Sequence, residues 1–576
     1  MAADGDIKRA PNAYDSRAEF YMQLQDRMKA NRGQWETQWT EIAERISTKD
    51  DDFLKEWSPG SKRTYHVFDS TAALALPKFA AAMESMLTPR TQTWAKLVPL
   101  DDDLMRDWDV RAYLDRMNLV LFKMRYAPGT NFASQMNEVY RSLGAFGTGC
   151  LYVGDAVGKG LRYKSIYLGE LFFLENNVGE IDHVHRKYKL TGRQAVQEFG
   201  ESVLPPKIRE MAAKFPEQKF DFLHVVCPND NLNPRYGDAR GMAYQSLHIC
   251  YEERATVKVR GYHTQPYAVS RYVTSSNEVY GRSPAIDALP DIKMANAQAE
   301  TILRAGQLAV QPPMLLSDDG MLQVFSTRPG SFNYGMVNAE GKPLALPLQT
   351  GANLQLGDSM LDRTHQVIND AFLVTLFQIL VQNDREMTAT EVLQRAQEKG
   401  ALIAPTAARQ QSELLGKIIV REIDVAARAG MLEPPNFPPM PRKLVERGGN
   451  YNISYQSPLS RMQRAEQAVG LSNTIGILTP VAQVDPGIFD AFDWDTITQD
   501  LSTEINGLPE TWMLSPQALA ALRQGKQQQQ QQQQLVQAAP AASAAAANIA
   551  KIQSLSGAGT GQLPNLSALQ GATQGQ

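Results

Sequence analysis

From Asp287 to Leu308 apolar residues recur at three- and four-residue spacing, through Leu289, Ile292, Ala295, Ala299, Ile302 and Leu303, a period that predicts an amphipathic helix. Gln311, Pro312 and Pro313 stop it. Between Met314 and Gly351 the pattern shifts to short β-like runs, Met314 to Leu316, Met321 to Phe325 and Leu344 to Leu348, separated by glycine and proline turns. Helical periodicity returns with Met360, Leu361, Val367, Ile368, Ala371, Phe372, Val374 and Thr375, then fails at the polar run Gln382, Asn383, Asp384, Arg385 and Glu386. Thr388 and Glu391 then form a capping box, with Met387 and Val392 as its hydrophobic staple. The helix they open is expected to run towards Gly430, kinked near Gly400 and Pro405, where a donor is missing and a ring clashes.

Upstream, Ser16 and Glu19 predict a first helix whose continuation aligns Trp35, Trp39, Ile42 and Ile46 as buried anchors. Lys49 to Gly60 reads as a charged loop. Ser70 is placed to cap a second helix, which Pro77 is expected to kink and Pro89 to end; its alanines, Ala72 to Ala82, would let another helix approach closely. Helices near Leu104 to Tyr126 and Asn131 to Phe146 follow. From Gly149 to about Tyr262 runs rich in Tyr, Phe, Val and Leu predict strands at Cys150–Val153, Arg162–Leu168, Leu171–Leu174, His183–Tyr188, Phe220–Val226 and Gln245–Tyr251. Two short helices, Gly192 to Phe199 and Pro206 to Lys214, interrupt them. Beyond Gly430 a proline-rich stretch forbids helix, Asn452 to Tyr455 reads as a strand, and helical patterns return at Ser460–Leu478, Asp493–Ile505 and Ser515–Arg523. Gln527 to Gln534 is a glutamine tract, and the Ala, Gln, Gly and Ser that follow lack the apolar mass to offset their ordering entropy.

Four stretches, "FDSTAALALPKFAAAMESMLTPR" (Phe68 to Arg90), "YLGELFFLENNVGEIDHVHRKYKLT" (Tyr167 to Thr191), "YGRSPAIDALPDIKMAN" (Tyr280 to Asn296) and "MTATEVLQR" (Met387 to Arg395), resemble the portal, or head-to-tail connecting, proteins of short-tailed bacteriophages. The similarity runs in consistent order from about residue 15 to about residue 515. It implies an α+β, mainly helical, ring-forming portal fold. Residues 1–284 would hold the N-terminal helices and a mixed wing, 285–310 and 353–381 two stem helices, and 311–352 a β-rich clip. A tunnel loop at 382–387, a kinked tunnel helix at 388–430, a return to the wing at 431–458, crown helices at 459–525 and a low-complexity tail at 526–576 complete the map. The resemblance further implies a dodecamer at one capsid vertex of the virion, assembled in the host cytoplasm with capsid and scaffolding proteins. Its partners would be the terminase large subunit, tail adaptor proteins and double-stranded DNA held transiently and without sequence preference, with no cofactor and no membrane. By family position Gln382, Asn383, Asp384, Arg385 and Glu386 would lie nearest DNA. Asp318, Asp319, Arg328, Phe332, Asn333 and Tyr334 would form a docking surface on the clip.

Composition narrows the chemistry. A chain of 576 residues exceeds what one core supports, so two to four regions are expected. Lys and Arg number 58 against 62 Asp and Glu, a net charge of −4, whereas proteins that grip DNA tightly are strongly basic. A near-neutral surface suits DNA that must slide. Cys150, Cys227 and Cys250 have no metal spacing, and an odd number argues against a disulfide framework. The start MAADGDIKRA lacks the apolar core of a signal peptide, and Phe372 to Val381 falls far short of the ~20 residues that span a bilayer. A soluble protein is expected.

Catalytic patterns are absent. The run from Gly154 to Gly160 is one residue short of a phosphate loop and has Gly160 where a magnesium-binding hydroxyl belongs, so a hairpin turn is the better reading. His183 and His185 share a strand face but have no third ligand in the sequence, and solvent-facing or hydrogen-bonded histidines are expected. Asp101 to Asp103 sit where a helix N-terminus favours negative charge, and Asp50 to Asp52 read as solvated. No nucleophile, base and orienter set stands out, which argues against an enzyme. The competing reading is another internal virion or tail-tube structural protein.

Overall fold

The computed structural model describes residues 15–47, 53, 67–156 except 106, 160–316, 353–375, 404–456, 470–480, 492–502, 513–514 and 518–530, and scattered residues of the 317–352 insert. Contacts divide the chain into two units, Met1–Leu508 and Pro509–Gln576. Within the second, residues 518–530 are helical, reaching into the glutamine tract.

The first unit opens with α1 (Ser16–Arg45). Its cap is Asp15, whose carboxylate accepts from the Arg17 and Ala18 amides, and not Ser16, which is already the first helical residue. Trp39, Ile42 and Ile46 are buried as their spacing predicts, whereas Trp35 is only half-buried, packed against the core. Helix α2 (Thr71–Leu87) follows Ser70, which occupies the cap position without a side-chain bond, and runs through Pro77. Strand β1 (Ala95–Pro99) leads to α3 (Trp108–Arg125), capped by Asp107, and α4 (Phe132–Phe146). Of the alanines of α2, Ala72, Ala75 and Ala80 are buried within the same chain while Ala81 is exposed, and α4 packs on the helix so closely that a Cβ on Gly144 would sit 2.7 Å from Phe79.

Gly147 ends α4 at φ +75°, the left-handed conformation open to glycine, and hands the chain into β2 (Thr148–Ala156). A Cβ there would meet the Gly281 carbonyl at 2.2 Å, so two backbones cross where no side chain fits. Strand β2 pairs antiparallel with β3 (Gly160–Ser165), Ala156 opposite Gly160, as a hairpin would. Five further strands form an antiparallel meander in sequence order: β4 (Leu171–Glu175), β5 (Ile181–Thr191), β6 (Lys219–Pro228), β7 (Tyr244–Cys250) and β8 (Ala255–Tyr262). Between β5 and β6, α5 (Gly192–Phe199) is fixed by a Thr191–Gln194 capping box, and α6 (Pro206–Lys214) follows. Strand β9 (Tyr267–Arg271) pairs with the far side of β2, completing a three-stranded sheet.

Next come α7 (Leu289–Val310), β10 (Met314–Leu316), β11 (Ala345–Pro347) and α8 (Leu354–Ala371), where periodicity predicts helix, strand, strand and helix. Residues 404–428 are helical, with Pro405 in their first described turn; Gly400 and the segment in which the kink is expected lie outside the described residues. Within the described part a π-turn at Gln411–Leu415 interrupts the helix before α9 (Gly416–Arg428). Strand β12 (Tyr451–Tyr455) pairs antiparallel with β1 and not with the sheets of 148–271. Of the C-terminal patterns of this unit, 470–480 are helical and α10 spans Trp494–Asp500. Helices and separate antiparallel sheets together make an α+β protein.

Candidate functional site

Helices α7 and α8 pack along one another as a hairpin closed at its tip by the β10–β11 ribbon. Gly357 allows the approach, since a Cβ there would stand 3.0 Å from Ile302. The base is embedded: Ile292, Ala295, Ile368 and Phe372 are buried, and Phe372 meets Phe79 of α2 edge-on. Polar clamps fix it further. Asn296 Oδ1 accepts from the Phe68 and Asp69 amides at 2.8 and 3.0 Å, while its Nδ2 donates to the Ile292 carbonyl. Across the helices Thr364 Oγ1 donates to Gln298 Oε1, and His365 Nε2 lies 3.0 Å from Asp69 Oδ1.

Away from the base, burial is lost while the side chains stay apolar. Leu303, Leu308, Val310, Leu356 and Met360 are exposed, Val310 to 81%. Of the 34 exposed large apolar side chains among the described residues, 15 lie between Met294 and Val367, a concentration that marks an interaction surface rather than scattered surface leucines. Of the residues expected to dock partners, Arg328, Phe332 and Tyr334 are exposed, the two rings to 85% and 83%. Asp318, Asp319 and Asn333 lie outside the described residues, as do Gln382, Asn383, Asp384, Arg385, Glu386 and the Thr388–Glu391 capping box.

What can be placed is the anchorage on either side of 376–403. On one side Phe372 and Val374 enter the main core; on the other Ala407, Leu414 and Leu415 enter the same core. The π-turn brings Gln410 and Glu413 onto the end of β9. There Gln410 Nε2 donates to the Arg271 carbonyl and Glu413 accepts from the Arg271 amide, both at 2.9 Å. The Arg271 guanidinium also binds Glu413, Glu175 at the end of β4 and the Gly179 carbonyl. Burial pulls this guanidinium down, but the two carboxylates outweigh it and hold its pKa above the ordinary value. Tyr455 of β12 donates to the Gln411 carbonyl at 2.7 Å, one of the groups displaced by the π-turn.

About two turns beyond the π-turn, Glu422 is fully buried. It accepts from Arg125 Nε at 2.9 Å, from Arg125 Nη2 at 2.5 Å and from the Tyr163 hydroxyl at 2.5 Å. Burial and the Glu422 charge push the Tyr163 hydroxyl far up, so it stays a donor. Arg125 lies over Trp94 at 4.4 Å. Arg421, also buried, donates to Asp424 at 2.7 Å and to Thr264. Three buried cations thus tie this helix to three different elements. Sequence inspection passes over them, although a signal exists: Glu422 falls on the stripe Leu414, Leu415, Ile418, Ile419, Val425 and Ala426, where a charge needs a partner.

Elsewhere His183 and His185 face each other with ring nitrogens 3.1 Å apart, bonded and mostly buried rather than solvent-facing. Among the described residues no three His, Cys, Asp or Glu side chains converge as metal ligands. Residues 157–159 of the glycine-rich turn and Asp50 to Asp52 lie outside the described residues; Asp101 precedes a single helical turn, Asp102–Met105, and accepts from the Asp103 amide. The three cysteines are free and buried. No described helix is long and apolar enough to cross a membrane.

The chain matches the model of a family described as bacteriophage head to tail connecting protein over residues 18–514. It is 26% identical over 475 residues to the "Probable portal protein" of Bordetella phage BPP-1, covering 81% of this chain and 84% of that protein. It is likewise 26% identical over 511 residues to the "Portal protein" of Salmonella phage epsilon15, covering 86% and 89%. A chain from a solved structure titled "Neck of empty GTA particle computed with C6 symmetry" aligns at TM-score 0.34 and 12% identity, over 73% of this chain and 88% of that one, too slight a likeness to carry a functional argument.

Proposed function

The chain belongs to the bacteriophage head-to-tail connecting protein family, and from that membership we propose that it is a portal subunit working as a ring of identical copies around double-stranded DNA. The observation that carries the reading is the α7–α8 hairpin, whose base is locked into the core while its apolar outer face is left uncovered. A side-by-side copy would cover such a face, and a heterologous contact of this kind closes into a ring when its rotation divides a full turn. In this reading the hairpin is the stem, the β10–β11 insert the clip, the sheets between β2 and β9 the wing and the helices of 459–525 the crown. Residues 382–386 face the bore, presenting one cation, two amides and two acids, a mixture suited to transient contact with phosphate. Work on the DNA is mechanical: the ring guides it during packaging by a separate terminase, joins head to tail at the unique vertex of the virion and passes the genome out on ejection. Hydrolysis belongs to another polypeptide.

Electron microscopy of the purified protein is the direct test. Rings with a central bore, of twelve subunits as in the resembling family, are expected. Monomers or twofold dimers at every salt concentration would refute the proposal. Deleting 314–351 is expected to abolish terminase capture while leaving rings. Unchanged capture would favour the alternative of a structural virion protein with no part in packaging.

A further inference from the structure

Helix α1 lies across the five-stranded sheet, and one of its polar contacts there depends on protonation. On β5, His183 and His185 project from the same face, and their Nε2 atoms meet at 3.1 Å. His185 Nδ1 lies 2.9 Å from Oε1 of Gln25, one turn along α1 from Tyr21. With Nδ1 donating to Gln25, His185 has only a lone pair on Nε2, which accepts from His183 Nε2–H. Each ring is thereby committed to one neutral tautomer. A proton on His185 can enter only at Nε2 and puts two N–H groups head to head at this distance, whereas a proton on His183 enters at Nδ1, keeps the contact and adds a positive charge beneath the helix. His185 is fully buried and Gln25 nearly so, and the Gln25 Nε2 has no partner to compensate.

Little around the pair offsets that charge. Strand β4 sets Phe172 and Leu174 beside the two rings. Helix α1 supplies Tyr21, with Arg17 a turn before it, and β6 supplies Cys227, bonded to the Tyr21 hydroxyl. Burial keeps both Tyr21 and Cys227 protonated. Asp230 beyond β6 favours a proton on His183, and Asp182 on β5 is itself raised by burial, with Lys417 nearby. Burial nevertheless holds His183 down to about 4 and His185 well below the ordinary value.

We propose that the His183–His185 pair is an acid-sensitive latch that fastens the N-terminal half of α1 to the five-stranded sheet and releases it when the pair takes up a proton. The latch stands apart from the portal reading and holds whether or not the chain forms a ring. With His183 at about 4 in the closed state and about 6.5 when opened to water, the opening constant of α1 should rise about thirtyfold between pH 7.5 and pH 5. Amide hydrogen exchange of the full chain at both pH values, corrected for the intrinsic rate, reads this directly at residues 16–28 against α4 as an internal reference. Selective loss of protection in α1, abolished in the double variant His183→Asn, His185→Gln, in which neither side chain titrates while the new amide can still bond Gln25, is the expected result. Should the double variant fail to fold, His183→Asn alone, at the outer position, is expected to reduce the release. Equal change in α1 and α4, or undiminished release in the variant, overturns the proposal.

Discussion

Glu422 tests whether the helix preceding Gly430 is held in place by buried charge. In Glu422→Gln the side chain keeps its size but loses its charge, and Arg125, fully enclosed beside Trp94 and Phe132, keeps its own. One of the two Arg125–carboxylate bonds becomes donor against donor, and the Tyr163 hydroxyl must find its acceptor in an amide. Breaking one partner of a buried, hydrogen-bonded ion pair costs about 3 to 5 kcal/mol, because the remaining charge stays desolvated. Cation–π contact with Trp94 is present with and without the Glu422 charge and does not offset this loss, so the lower end of the range is taken. A net loss of about 3 kcal/mol is expected. Arg125→Met should lose a similar amount, leaving an unpaired carboxylate. The double variant Arg125→Met, Glu422→Leu should lose far less than the sum of the singles, since Met and Leu can pack among Trp94, Phe132 and Ile419. Urea unfolding of all members of the cycle, with protease sensitivity of 404–428 as a local readout, measures the coupling. Single losses below about 1 kcal/mol that simply add would show that the pair does not hold the helix, and the account of its anchorage would fail.

Gly147→Ala should lose about 3 kcal/mol or more in the same unfolding assay, since the left-handed backbone and the contact with the Gly281 carbonyl both oppose a Cβ. Asn296→Ala frees two amides of the 67–69 segment and should cost about 2 kcal/mol, visible as faster exchange at Phe68 and Asp69. Phe332→Ala with Tyr334→Ala should leave the melting temperature within a degree, because both rings stand in solvent, yet weaken capture of terminase or adaptor at least tenfold in a pull-down. On the other face of the sheet from His185, His224 and His248 stack at 4.1 Å, and burial holds His248 down to about 3. The folded value lies below the unfolded one, so the unfolded chain binds the extra proton and stability falls as pH drops below about 6.5. At pH 5 His248 alone costs about 2 kcal/mol, and His248→Phe should flatten the pH dependence of the urea midpoint.

Local signals serve best where the partner is local. The helices Gly192–Phe199 and Pro206–Lys214 lie where their caps and prolines put them, and Leu289–Val310 is displaced by two residues from the periodic run that announces it. Strand β1 escapes notice in the sequence because Ala95–Pro99 is short and its partner, Tyr451–Tyr455, is about 350 residues away in the chain. Strand β8 is marked by strict alternation, Val257 and Val259 against Thr256, Lys258 and Arg260, whereas β9 carries no such signal, because Tyr267–Arg271 is buried at every position. The π-turn has no sequence signature, since what supports it is the Tyr455 hydroxyl and the end of β9.

The hairpin exposes a different limit, which bears on function. Leu303, Met360 and Val367 belong to helical apolar stripes, and each lies on the helix it helps to predict, yet all three face solvent in the single chain. Periodicity reports that a face is to be covered and cannot say by which molecule. Two helices crossing in one hairpin use a single narrow seam, here Ile302 against Gly357 and Thr364 against Gln298, whereas the apolar residues of α7 and α8 extend around more of each cylinder than that seam consumes. Most of the surplus, Leu303 and Met360 included, lies away from the embedded base, where no element of the same chain covers it among the described residues. A chain that folds this hairpin alone therefore leaves its own sequence pattern half satisfied, and copies packed side by side, as in the proposed ring, would supply the missing half, the outer face of one hairpin meeting the flank of the next.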